Sequence, residues 1–362
     1  MIYYAQIKNK IMENGSESKI TIDGVGIGEG NSSYIIAEIG INHNGDISLA
    51  KKLIDAASKS GANAVKFQKR DLNSIFKKDI LENPNLDSQG TEILIGVLKE
   101  VEFNENEYRE IIDYCKEKKI TFLCTPWDNV SVDFLEKFDV DAYKIASADM
   151  TNFPLIKYIS NTKKPMIIST GMSSLQEIEK TVDFVKKLGA KFALLHCNST
   201  YPSPTDLLNL KMIPFLKKKF NVLIGYSGHE TSVFPSIAAA NLGAVIIERH
   251  ITLDKKMEGL DHAASLEQDE FELLVKGIRE SEIAYGKPEK KMTRGEILQR
   301  EVLGKCLVCS NEIKKGEEFT EKNVEVKGPA RGLSPQYYYE ILNKKSKRKI
   351  EKGDYILDSD LN

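Results

Sequence analysis

Two histidines carry the strongest chemical signal in this sequence. His229 follows Ser227 by two residues, and His250 follows Glu248 by two. Residues two apart on a strand face the same side. On neighbouring strands, two imidazoles could share one divalent metal, with water and substrate oxygens in the remaining positions. Taken singly, each histidine also suits a hydrogen-bonded structural role. His43 and His196 are read that way, and His262, beside Asp261 in GLDHAASLE, is ambiguous.

Lys66 and Lys144 lie near the ends of apolar runs, where an ammonium is costly to bury without an anionic partner. Thr125, Ser147, Ser169 and Ser227 place hydroxyls at similar ends. Together they could cradle a phosphate or a carboxylate. The competing chemistry is a Schiff-base lysine, which needs one desolvated lysine away from the other cation. Further polar residues at run ends are Glu38, Gln68, Asp149, Asn198, Ser199, Tyr201 and Glu248.

These residues need a frame that brings run ends together. Eight apolar, β-branched runs recur, over 34–40, 62–68, 120–127, 142–147, 165–170, 192–198, 222–227 and 245–250. Little alternation interrupts them, as expected of strands covered on both faces. Amphipathic stretches such as 49–60, 173–188 and 234–242 lie between them. Eight βα units over about 250 residues predict an α/β protein with a closed (β/α)8 TIM barrel, whose chemistry sits at the C-terminal strand ends. A doubly wound open sheet is the alternative. Gly24, Gly26, Gly28 and Gly30 precede the first core strand and miss the dinucleotide spacing, so they read as turn glycines of an N-terminal hairpin or extension within 1–33. The barrel is expected over 34–286. A polar, basic linker (287–300) and a small β-rich domain (301–362) follow. The connection from Lys69 to about Tyr108 is long and polar at its start, suited either to covering the active site or to a surface excursion.

With 51 basic and 53 acidic residues the net charge is −2, which argues against nucleic-acid or membrane-surface partners. No apolar run approaches the roughly 20 residues of a membrane span. The start of the chain has no signal-peptide order, and five widely spaced cysteines fit reduced thiols in a cytoplasm. Cys306 and Cys309 form a lone CxxC, better read as part of an apolar strand, CLVC, than as a zinc site.

In order, AEIGINHNGD, VKFQ, KIASADMTNFPL, STGM, HCNSTYPSP, GYSGHE, ERHITLDKKMEGLDHAASLE and KGPARGLSP resemble the sialic acid synthase family. The resemblance covers roughly residues 33–361 and implies a barrel followed by an antifreeze-like (SAF, β-clip) domain. It implies a transferase that condenses phosphoenolpyruvate with an N-acylated mannosamine-type sugar, releasing phosphate by C–O cleavage. By resemblance, His229 and His250 hold manganese or a similar ion, with cobalt or magnesium as alternatives. Lys66, Thr125, Lys144, Ser147, Ser169, Ser199 and Ser227 bind phosphoenolpyruvate; Glu38, Gln68, Tyr201, Asp261 and Arg331 meet the sugar. Glu38, Lys66 and Asp149 are the catalytic candidates, Asp149 as a proton handler. Many bacterial members have Glu at the position of Asp149, and some have Asn at that of Ser199. Gly328 stands where an arginine often lies, leaving Arg331 as the nearest substitute. The family also implies a domain-swapped homodimer. Alternatives keep the chemistry on a 6-phosphate or 2,4-diacetamido sugar, or keep the fold in a non-catalytic sugar-binding paralogue.

Overall fold

A computed structural model describes residues 19–83 and 91–362. Eight parallel strands close into a barrel in the order β10–β3–β4–β5–β6–β7–β8–β9. After a two-stranded hairpin, β1 (Ile20–Ile22) and β2 (Val25–Ile27), these are β3 (Tyr34–Gly40), β4 (Ala64–Lys69), β5 (Thr121–Pro126) and β6 (Tyr143–Ile145). They continue with β7 (Met166–Ser169), β8 (Phe192–Cys197), β9 (Leu223–Gly228) and β10 (Ile246–His250). Each lies within about two residues of an apolar run. β10 pairs with β3 and closes the ring, with His250 opposite Glu38. The open-sheet alternative is therefore excluded.

Strand parity divides the barrel into two cores. Outward-facing residues such as Ile35, Ala37, Val65, Phe67, Ile168, Leu194 and Ile247 pack against the surrounding helices. Inward-facing residues are apolar at the lower end, where Ile36, Ala64, Leu123, Ile167, Ala193, Leu223 and Ile246 meet. Ile20, Ile22 and Ile27 of the hairpin join this inner cluster, so the hairpin plugs the floor of the barrel. Asp23 and Gly24 turn it with positive φ values of 47° and 74°, the geometry a tight hairpin requires. Farther up each strand the inward positions become polar. A filled floor below a polar upper layer confines the chemistry to the C-terminal mouth.

The helices follow their sequence signals. Asp46 caps Ile47–Lys59 by accepting from the Ser48 and Leu49 amides, and that helix buries Ala50, Leu53, Ile54 and Ala57 against the barrel. The long connection after β4 is less irregular than expected. It forms helices Leu72–Ile75, Lys78–Glu82 and Thr91–Val101, while part of it, 84–90, lies outside the described residues. Leu98 and Val101 pack on Ile41, just past β3, with Leu72 and Phe76 beside them.

Residues 287–362 form a second unit. The segment expected as a linker carries helix Arg294–Leu303, capped by Thr293 with Glu296 reaching back to the cap. β11 (Cys306–Cys309) pairs antiparallel with β12 (Val324–Lys327). A core of Leu307, Cys309, Ile313, Phe319, Val324, Ile341, Ile350 and Ile356 fills the unit. Both cysteines are buried and free, as the strand reading expects. Among the described residues no helix is long and apolar enough to cross a membrane.

Candidate active site

The polar upper layer surrounds a cavity of about 240 Å³. Glu38, Lys66, Gln68, Thr125, Lys144, Ser147, Ser169, Ser199, Tyr201, Ser227, His229 and His250 all line it. Parity explains the gathering: Glu38 continues the inward series of Tyr34 and Ile36, and Lys66 follows Ala64. Glu248, Cys197 and Trp127 line it too, though sequence reasoning gave them no role. For Glu248 the signal was present, since it shares a strand face with His250.

One half of the cavity is cationic. Lys66 Nζ lies 2.6 Å from Glu38 Oε2 and donates to Thr125 Oγ1 at 3.1 Å. Lys144 Nζ donates to Ser169 Oγ at 2.6 Å and to the Ile145 carbonyl at 3.1 Å. Glu248 Oε1 sits between the two ammonium groups, 3.8 Å from Lys66 and 3.7 Å from Lys144, and accepts from Ser227 Oγ at 3.1 Å. Burial alone would lift the Glu248 carboxyl, but Lys144 and Lys66 hold it below its ordinary range. Burial lifts the Glu38 carboxyl above its usual range, against the pull of Lys66. Both ammonium groups thus lie beside the same carboxylate oxygen, which suits two paired cations more than one free amine nucleophile. Gly171 completes this half. Its amide donates to Ser147 Oγ at 3.1 Å, and a Cβ there would fall 2.1 Å from Ser199 Oγ and 2.7 Å from Ser147 Oγ.

The other half holds the histidines. The ring centroids of His229 and His250 are 5.5 Å apart, and Tyr201 lies 4.0 Å from the first and 5.8 Å from the second. His229 Nδ1 donates to the Asn198 carbonyl at 2.7 Å, which leaves Nε2 as the lone-pair nitrogen. His250 Nδ1 is buried without a hydrogen-bond partner, its nearest carboxylate being Asp261 at 3.7 Å. Burial pushes the His250 pKa down to about 4, so the ring is neutral at physiological pH. A neutral imidazole with an unshared lone pair is what a divalent cation requires. No cluster of three or more His, Cys, Asp or Glu side chains able to hold a metal occurs among the described residues. The donors on this side that could meet such an ion are the two imidazoles, His229 through Nε2 and His250. On the far side of β10, Arg249 is fully buried and donates to Glu230 Oε1 at 3.0 Å, tying the segment after His229 to the strand that carries His250.

Three expected residues stand apart from the lining. Asp261 borders it, because a Cβ on Gly40 would touch Asp261 Oδ2, Glu38 Oε1 and Gln68 Nε2 together. Asp149 accepts from Asn152 Nδ2 at 2.9 Å, and its second oxygen is buried without a partner. Arg331 belongs to the second unit, where it is exposed. The remaining histidines are structural. His43 stacks on Phe103 at 4.2 Å, His196 bonds the Leu208 carbonyl at 2.7 Å, and His262 bonds Thr252 Oγ1 at 2.7 Å.

Residues 53–290 match the NeuB family and residues 304–362 match the SAF domain. An N,N'-diacetyllegionaminic acid synthase of Campylobacter jejuni is 40% identical, over 90% of this chain and 98% of its own length. The human N-acetylneuraminate-9-phosphate synthase is 38% identical, over 92% and 93%. A crystal structure of the N-acetylneuraminic acid (sialic acid) synthetase of Leptospira borgpetersenii serovar Hardjo-bovis, in complex with citrate, superposes with a TM-score of 0.69 at 32% identity. That match covers 78% of this chain and 95% of the other. On these matches the chain belongs to the NeuB family and carries a SAF domain as its C-terminal unit.

Proposed function

We propose that this protein condenses phosphoenolpyruvate with an N-acylated mannosamine-type sugar, yielding a nonulosonic acid and phosphate. One observation carries the reading: a two-lysine, multi-hydroxyl cradle and a pair of histidines share one cavity. Lys66, Lys144 and the hydroxyls of Thr125, Ser147, Ser169, Ser199 and Ser227 suit the carboxylate and phosphate of phosphoenolpyruvate. Glu38, Gln68, Tyr201 and Asp261 gather on the sugar side. A divalent ion held by His229 and His250, manganese by resemblance, would supply polarisation of the sugar's aldehyde oxygen. Glu38 and Lys66, 2.6 Å apart, are the pair best placed to exchange a proton near the reacting carbons. Asp149 is outside the lining and serves as a proton reserve beside it. The SAF domain of a swapped homodimer adds Arg331 to the sugar side.

The relatives are named for a diacetyllegionaminic acid and for a 9-phosphate product, so the acceptor panel spans free, 2,4-diacetamido and 6-phosphorylated sugars. Phosphate release is expected to require phosphoenolpyruvate and one of these acceptors together. It should stop on chelation, return with manganese, and be lost in His250→Ala. Release that survives exhaustive chelation would remove the metal from the reading. Binding of a sugar with no turnover on any panel member would leave only a sugar-binding protein.

A further inference from the structure

Arg70 follows β4 directly and is 7% exposed, yet it does not line the cavity. Its guanidinium lies over the Trp127 ring at 4.5 Å. Its Nη2 donates to Gln68 Oε1. Its Nη1 makes no hydrogen bond, and the nearest carboxylate, Glu102, is 3.9 Å away and already engaged by Lys69 at 2.8 Å. This buried cation is thus committed to two side chains, Gln68 and Trp127, that both form the cavity wall.

A glutamine amide can turn over with almost no change of shape, exchanging donor for acceptor. Here both neighbours forbid the exchange. Arg70 can only donate, and Glu38 Oε1 receives Gln68 Nε2 at 2.8 Å while Glu38 Oε2 lies 2.6 Å from the Lys66 ammonium, so both carboxyl oxygens face donors. Reversal would set donor against donor and oxygen against oxygen. Gln68 is thereby left with one free N–H for a ligand. Its carbonyl oxygen is turned toward Arg70.

We propose that Arg70 is a specificity-determining positioning residue for the acceptor sugar. It holds Gln68 so that a donor, never an acceptor, faces the substrate, and it braces Trp127 as the adjoining wall. The matching group on the acceptor is an oxygen with a free lone pair, such as an N-acyl carbonyl. This rests on the proposed condensation, because it assumes a sugar on the Gln68 side.

The test is steady-state phosphate release by the full-length protein with phosphoenolpyruvate and the best acceptor of the panel, for wild type, Arg70→Met and Arg70→Lys. Arg70→Met should raise the sugar KM roughly tenfold or more and leave the phosphoenolpyruvate KM within about twofold. That split also reports a folded cavity, which a general loss of structure would not preserve. Lysine keeps the charge near Glu102 but cannot lie flat on an indole and reach Gln68 at once, so Arg70→Lys should fall between the two. If Arg70→Met does not fold, the lysine variant decides by the same measure. An unchanged sugar KM, or a parallel rise of both KM values, overturns the assignment while the condensation stands. Wild-type protein inactive with every acceptor overturns both.

Discussion

Glu248→Gln removes one charge from the centre of the cavity while nearly preserving shape. In the native protein that carboxylate lies 3.8 Å from Lys66 and 3.7 Å from Lys144, with all three side chains less than a tenth exposed. At an effective dielectric near 20, each such pair is worth about 4 kcal/mol before desolvation is counted. Breaking a buried pair by removing one partner costs about 3–5 kcal/mol. The lower figure applies, because Lys66 keeps Glu38 and Lys144 keeps Ser169. A loss of about 3 kcal/mol should lower the melting temperature of the ligand-free barrel by roughly 6–12 °C. Phosphoenolpyruvate brings negative charge to the same two lysines, and in the variant Glu248 no longer opposes it. Its binding should therefore stabilise Glu248→Gln more than wild type, in proportion to the gain in affinity. Calorimetry with and without phosphoenolpyruvate at neutral pH reads both effects. A ligand-free melting point within about 1 °C of wild type would refute the claim that Glu248 neutralises the lysine pair. An equal ligand-induced rise in the two proteins would refute its competition with substrate.

Two further perturbations follow from the same geometry. Gly171→Ala puts a methyl group on the hydroxyls of Ser147 and Ser199, an overpacking cost of about 1–3 kcal/mol, and should raise the phosphoenolpyruvate KM about tenfold with the sugar KM little changed. Asp149→Asn tests a buried carboxyl whose pKa burial raises, so the folded state favours its neutral form. The stability of that neutral form is complete below the ordinary aspartate value of about 3.9 and is lost as pH rises through the folded value. Asparagine cannot ionise, so the variant should melt above wild type at neutral pH and lose that advantage in acid. A difference independent of pH would count against the raised carboxyl, and retained activity would count against the proton reserve.

The barrel was legible because its strands are continuous β-branched runs, and parity then placed both histidines and both lysines on the inner face. The same rule reached Glu248, but no local feature says that a carboxylate on β10 will meet ammonium groups from β4 and β6. Such contacts depend on strand stagger around the ring. The role of the hairpin was hidden for a related reason: ITIDGVGI spells two short strands and a turn, not the barrel floor they cover. The segment after β4 read as irregular because helices of four or five residues, as at Leu72–Ile75, are too short to show a periodic apolar face. Asp149 stood among the run-end residues and drew its proton-handling role from the resemblance, but its carboxyl accepts from Asn152 and does not line the cavity.

Closure of the barrel by its first and last strands has a consequence in time. Asn42 reaches the Ile251 carbonyl across 209 residues of sequence, beside the pairing of Glu38 with His250. At usual rates of synthesis, the amino-terminal side of this seam waits on the order of ten to forty seconds for its counterpart to emerge. Until then the barrel is open at this seam, and Glu248 and His250, both on β10, are missing from the cavity wall. Any ligand that needs Glu248 or His250 meets a complete site only after the last barrel strand has been made.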